Sequence, residues 1–158
     1  EADLGESLDY VRFILDTSKG AFFRFARLRG FTEYRKTLPL AAYHVARIVA
    51  TRDEDCGPCV QIELNMAGKA DVDRDVLRAV LDDQPEKLPD ELAEVYRFAK
   101  AVVEASGEEE DLREPLRERY GDQGLVELAY AIAGPRIFPI LKRSLGYARS
   151  CAIHPPKV

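Results

Sequence analysis

Apolar residues recur at helical spacing through most of this chain, and that periodicity predicts its elements. Leu4, Leu8, Val11, Ile14 and Leu15 mark an opening helix, and residues 19–30 read as a second. Thr37 stands as an N-cap with Pro39 in the first turn, starting a helix that runs to about Ala50. Residues 51–55 read as a charged loop. Pro58 limits where the next helix can begin, because an interior proline costs ~3 kcal/mol. With Asp55 as N-cap, Pro58 falls at the third helical position, where its missing N–H has no intrahelical partner to lose. Cys56 is then the exposed first helical residue and Cys59 lies one turn in, on a helix reaching about Lys69. Further helices are expected over 72–82, 90–106 and 111–120, separated by the Pro-containing stretch 84–89 and the acidic stretch 107–110. The last apolar segment, 122–149, is interrupted by Gly134-Pro135 and Pro139, which predicts two helices or one kinked helix. No run of alternating β-branched residues is present. The expected fold is all-α, with helices in antiparallel pairs.

Composition narrows the class. A chain of 158 residues fits one domain, and such chains bury roughly 70% of their unfolded surface. Hydrophobic residues make up 46% and charged residues 32%, the balance of a soluble protein. No apolar run approaches the ~20 residues that span a bilayer, and no signal peptide is visible. The chain starts at Glu1 without Met, so a short leader could have been trimmed. Three cysteines do not make a secreted disulfide scaffold, so a reducing cytoplasm is the expected compartment. The net charge of −5 weighs against a nucleic-acid partner. Residues 18–36 depart from that balance: Lys19, Arg24, Arg27, Arg29, Arg35 and Lys36 face a single acid, Glu33, among Phe22, Phe23, Phe25 and Phe31. A basic, Phe-rich helix can lie on a membrane surface. Burial of the Phe face against the domain or a neighbouring subunit is the plainer expectation.

The chemistry concentrates in Cys56-Gly57-Pro58-Cys59, after the acidic run Asp53-Glu54-Asp55. Two thiols at this spacing can close and reopen a disulfide or hold a metal. The tetrapeptide is spelled as in thioredoxins, but those sites follow a β-strand, and the segment from Leu40 to Val49 is helical. A zinc site would need Cys56 and Cys59 with Cys151 and His154, which share the same two-residue gap. The ordinary alternatives are a small buried residue for Cys151 and a solvated tail residue for His154. The third reading is a reactive dithiol. A helix N-terminus favours a thiolate through its free N–H groups and partial positive charge, which the preceding acids oppose. An attacking thiol also wants a base. Glu63 lies one turn beyond Cys59, and His44 lies twelve residues before Cys56 on a helix that a short loop would fold alongside. A histidine on such an apolar helix is otherwise a satisfied core residue.

At these residues the chain resembles the alkylhydroperoxidase AhpD-like group of the carboxymuconolactone decarboxylase superfamily. That all-helical group carries a Glu twelve residues before a Cys-x-x-Cys and a His four residues after it. Here the spacings are kept and the residue types exchanged, His44 standing for the Glu and Glu63 for the His. The resemblance runs from about Leu38 to Tyr147, including Gly124-Leu125-Val126-Glu127-Leu128-Ala129 and Leu141-Lys142-Arg143-Ser144-Leu145-Gly146. It implies an N-terminal extension over 1–37, an AhpD-like helical domain over 38–150 and a tail over 151–158. It further implies that Cys59 attacks a hydroperoxide, Cys56 resolves the sulfenic acid as a disulfide, and Glu63 with His44 relays the proton. A carboxylate beside Cys59 would raise its pKa, and His44 is expected to offset this by holding a proton or a hydrogen bond. The expected protein is therefore a dithiol oxidoreductase and homo-oligomer, without cofactor or metal. Its partners would be a hydroperoxide or disulfide substrate and a thiol reductant. The alternatives are a zinc-stabilised helical domain and a non-catalytic module that binds a partner or membrane through residues 18–36.

Overall fold

The computed structural model describes residues 5–152 and 155–158. They are helical, with no strand among them: α1 (Asp9–Thr17), α2 (Lys19–Ala26), α3 (Leu28–Thr32), α4 (Leu40–Asp53), α5 (Gly57–Lys69), α6 (Arg74–Leu81), α7 (Asp90–Glu104) and α8 (Glu109–Ser144). A short 3₁₀ turn, Pro85–Lys87, joins α6 to α7.

Helix α4 is the axis of the fold. Every residue from Ala42 to Thr51 is buried, and α5, α6, α7 and α8 all pack against it. A helix apolar on all sides is stable only when surrounded. Val45, Ile48, Val49, Leu128 and Ile132 form its packing with α8 and their neighbours in the core. Truncating one of these, such as Ile48→Ala, costs about 2–5 kcal/mol through lost burial and the cavity left behind.

The starts and stops of α4, α5 and α8 differ from the sequence expectation for identifiable reasons. Pro39, not Thr37, is the N-cap of α4. The Thr37 N–H and hydroxyl and the Leu38 N–H all donate to the carboxylate of buried Glu127 on α8, so the threonine anchors a loop instead of capping a helix. At its other end α4 continues to Asp53, through most of the stretch expected as loop. Asp55 takes a left-handed φ of 46° and Cys56 an extended backbone, so Cys56 caps α5 and Pro58 sits at its second position. The helix expected over 19–30 is divided at Arg27 into α2 and α3.

In α8 the break falls at Gly121 (φ 70°, ψ 174°), and Pro135 and Pro139 lie inside helix. Only glycine adopts that backbone readily. Gly134 serves a different purpose, since a Cβ there would meet the Thr32 backbone at 3.1 Å; its absence lets α3 lie against α8. By length and composition α8 contains a stretch apolar enough to cross a bilayer, unlike the expectation from the sequence. Here its Leu128, Ala131 and Ile132 are buried in the core.

Candidate active site

Cys56 and Cys59 are joined in a disulfide, with Cα atoms 5.2 Å apart. Cys151 carries a free thiol. Cys56 is fully buried, and Cys59 is buried except where it meets a cavity of about 390 Å³ between α1–α3 and α5/α8. Glu63 and Arg47 share that wall with Cys59.

The N-terminal donors of α5 are already used. The Gly57 N–H donates to the Arg149 carbonyl at 3.1 Å, the Cys59 N–H to the Cys56 carbonyl at 2.9 Å, and Pro58 has none. The acidic run that precedes the helix is likewise engaged elsewhere. Arg136 pairs with Glu54 at 2.7 Å and Asp53 at 3.0 Å, and Arg143 with Glu54 at 3.4 Å. The Asp55 carboxylate accepts from the Ser150 hydroxyl and the Cys151 N–H, which lowers its pKa through those hydrogen bonds. The tail is tied down a second time where Gln61 and the Lys157 backbone exchange two hydrogen bonds. Ser150, Cys151 and Lys157 are thus tied to the residues around the start of α5.

Glu63 is held by a residue to which the sequence reading assigned no role. Arg47, one turn along α4 from Tyr43 and His44, forms a two-pronged pair with it, Nε–Oε2 2.7 Å and Nη2–Oε1 2.8 Å. Both side chains are buried. The rest of the guanidinium donates to the Thr32 carbonyl and to the Tyr43 hydroxyl. Burial opposes the Arg47 charge, and the Glu63 carboxylate more than offsets this, so the pKa of Arg47 is raised. The carboxylate beside Cys59 is therefore neutralised by Arg47. A sequence signal for this existed: Arg47 is the only charged residue between Leu40 and Thr51, and Glu63 is the only acid in α5. Two lone opposite charges on packed apolar helices have to meet.

His44 is buried on α4, edge-on to the Tyr43 ring at 5.2 Å. Burial pulls its pKa down to about 4, with Glu63 working against that and Arg47 and Arg35 adding to it. It is neutral at pH 7 and does not offset Glu63 by charge, contrary to the expectation above. Its Nδ1 has no hydrogen-bond partner, and His44 is not among the residues of the cavity wall.

Among the described residues no cluster of three or more His, Cys, Asp or Glu could hold a metal; His154, named as a ligand from sequence, lies outside them. Of the residues in the basic segment, Phe22 and Phe25 line the cavity and Phe31 packs on Tyr130 with ring centres 4.4 Å apart. Phe23 alone among its phenylalanines is well exposed, at 62%. Compared with protein-family models, with curated proteins and with solved structures, the chain matches none of them.

Proposed function

We propose that the protein is a dithiol oxidoreductase of AhpD-like type that reduces hydroperoxides through Cys59 and Cys56. One observation carries this reading: of the two joined sulfurs, only that of Cys59 belongs to a residue on the cavity wall, while Cys56 is sealed behind it. A pair built only for stability would be a poor staple, since closing so short a loop is worth only ~2 kcal/mol in the chain-entropy account.

In the proposed cycle the Cys59 thiolate attacks the terminal peroxide oxygen and the O–O bond breaks. The departing alkoxide takes a proton and leaves as the alcohol, with Cys59 oxidised to the sulfenic acid. The Cys56 thiol attacks that sulfur, water leaves and the disulfide forms. An external dithiol returns the pair to thiols by exchange. His44, buried off the cavity wall with its pKa pulled down to about 4, is a weak base at neutral pH, so the relay that the resemblance implies for it is not carried into this cycle. Glu63, fixed by Arg47, positions the other side of the site. Exposed Phe23, Val126 and Ile140 are in keeping with a homo-oligomer.

The test is stoichiometric. One equivalent of hydroperoxide added to the reduced protein should remove two thiols in the wild type. In Cys59→Ser it should remove none on the same timescale. Thiols that survive the peroxide in the wild type would end the proposal.

A further inference from the structure

Among the described residues, each buried charge has a close partner, with one exception. Arg47 and Glu63 hold each other, Glu54 holds Arg136, and Glu127 accepts from backbone N–H groups. Lys142, only 3% exposed, has neither a hydrogen bond nor an ion pair at its ammonium among the described residues. It lies over the Tyr10 ring, 5.3 Å from the centroid. Burial lowers its pKa, and Glu6 opposes this through its field. Lys142 also lines the cavity that holds Cys59.

The cavity around Lys142 is otherwise balanced in charge. Its body is apolar, walled by Val11, Phe22, Phe25, Ile62, Met66 and Phe138, with Tyr10, Phe25 and Phe138 in edge-to-face contact at 6.1 and 6.0 Å. Its other charged residues cancel: Arg29 pairs with Glu33 at the rim and Arg47 with Glu63 in the wall. That leaves Lys142 as the one charge on its wall without a direct ion pair, offset only by the field of Glu6, in a space of about 390 Å³, within the roughly 300–1,000 Å³ of small-molecule sites. An ammonium drawn largely out of water with no direct ion pair is costly, and an entering anion offsets that cost.

We propose that this cavity binds an apolar organic acid of medium chain length, its hydrocarbon among the phenylalanines and its carboxylate on Lys142. The binding site stands on its own; that its ligand is a substrate, as the hydroperoxide of such an acid, rests on the thiol chemistry proposed above.

Calorimetric titration of the oxidised full chain separates the two. Decanoate should bind about tenfold or more tighter than decanol, the margin of a charge-assisted hydrogen bond, and decylamine should bind more weakly than decanol. Lys142→Met should remove the preference for decanoate while leaving decanol affinity unchanged, which also reports that the cavity is intact. Met66→Trp, which fills the cavity, should weaken both ligands. Equal affinity for the three ligands, no binding of decanoate, or an unaltered preference in Lys142→Met would overturn the site. Because the disulfide form is titrated, none of these outcomes depends on turnover. Decanoate binding in a protein whose thiols ignore hydroperoxides would sink the thiol reading and leave the acid site standing.

Discussion

Glu63 and Glu127 are both buried carboxylates on helices packed against α4 or the loop leading to it, yet they are satisfied in opposite ways. Glu127 accepts from the Thr37 and Leu38 backbone and from Gln123, with no cation in contact. Burial alone would raise its pKa, and those hydrogen bonds bring it down to about 2. It bolts α8 to the start of α4 and is not on the wall that holds Cys59. Glu63 is instead held by a guanidinium, on a wall it shares with a cysteine. Hydrogen bonds to backbone fix a loop in one geometry. A buried ion pair adds little net stability and here neutralises the carboxylate on the cavity wall. The partner, more than the burial, separates the two carboxylates.

The largest expected effect comes from breaking the pair. Arg47→Met should cost about 3–5 kcal/mol, because Glu63 is left buried and uncompensated. The double variant Arg47→Met with Glu63→Leu should regain most of that by urea denaturation, since a buried pair replaced by apolar groups is often neutral. If the double variant is as unstable as the single one, the pair is a structural bolt like Glu127 and the contrast fails.

Glu127→Gln should cost about 3 kcal/mol at pH 7, the size of its pKa displacement from 4.5 to about 2. A carboxylate whose folded pKa is depressed stabilises above its unfolded pKa and loses that contribution as pH falls through the folded one. The gap between Glu127→Gln and wild type should therefore narrow below pH 4.5 and be roughly halved at pH 3. A gap independent of pH would show that packing, not charge, sets the cost.

A smaller effect is expected at His44. Its folded pKa of about 4 lies below the ordinary 6.5, so the unfolded state binds the proton first. Stability is then fully present above pH 6.5 and declines towards pH 4. Between pH 7 and 5 the loss is about 2 kcal/mol. His44→Phe, which keeps a flat ring, should flatten that stretch of the stability–pH curve. An unchanged slope would place the titration on another group.

Much of this fold was legible in the sequence because prolines and acids punctuate it. Pro58 and Pro89 stand at or beside the starts of α5 and α7, and Asp73 caps α6 through its side chain. The start of α4 is set by a tertiary contact that local pattern does not carry. Thr37 serves a carboxylate 90 residues away. At the site, the spacing placed Cys56, Cys59 and Glu63 on one helix and His44 on its neighbour. Arg47 could have been inferred as the lone charge between Leu40 and Thr51, but periodicity does not say which acid it meets. Lys142 had no such signal. Its burial follows from where the kinked α8 meets α1, which local pattern does not encode.

The central claim is that Cys59 is the attacking thiol and Cys56 the resolving one, and sulfenic-acid trapping tests it most directly. Each single Cys→Ser variant, reduced and then treated with one equivalent of an organic hydroperoxide in the presence of dimedone, is mapped by peptide mass spectrometry. The account predicts an adduct on Cys59 in Cys56→Ser and none on Cys56 in Cys59→Ser. Adducts on both cysteines, on neither, or on Cys56 alone would contradict it.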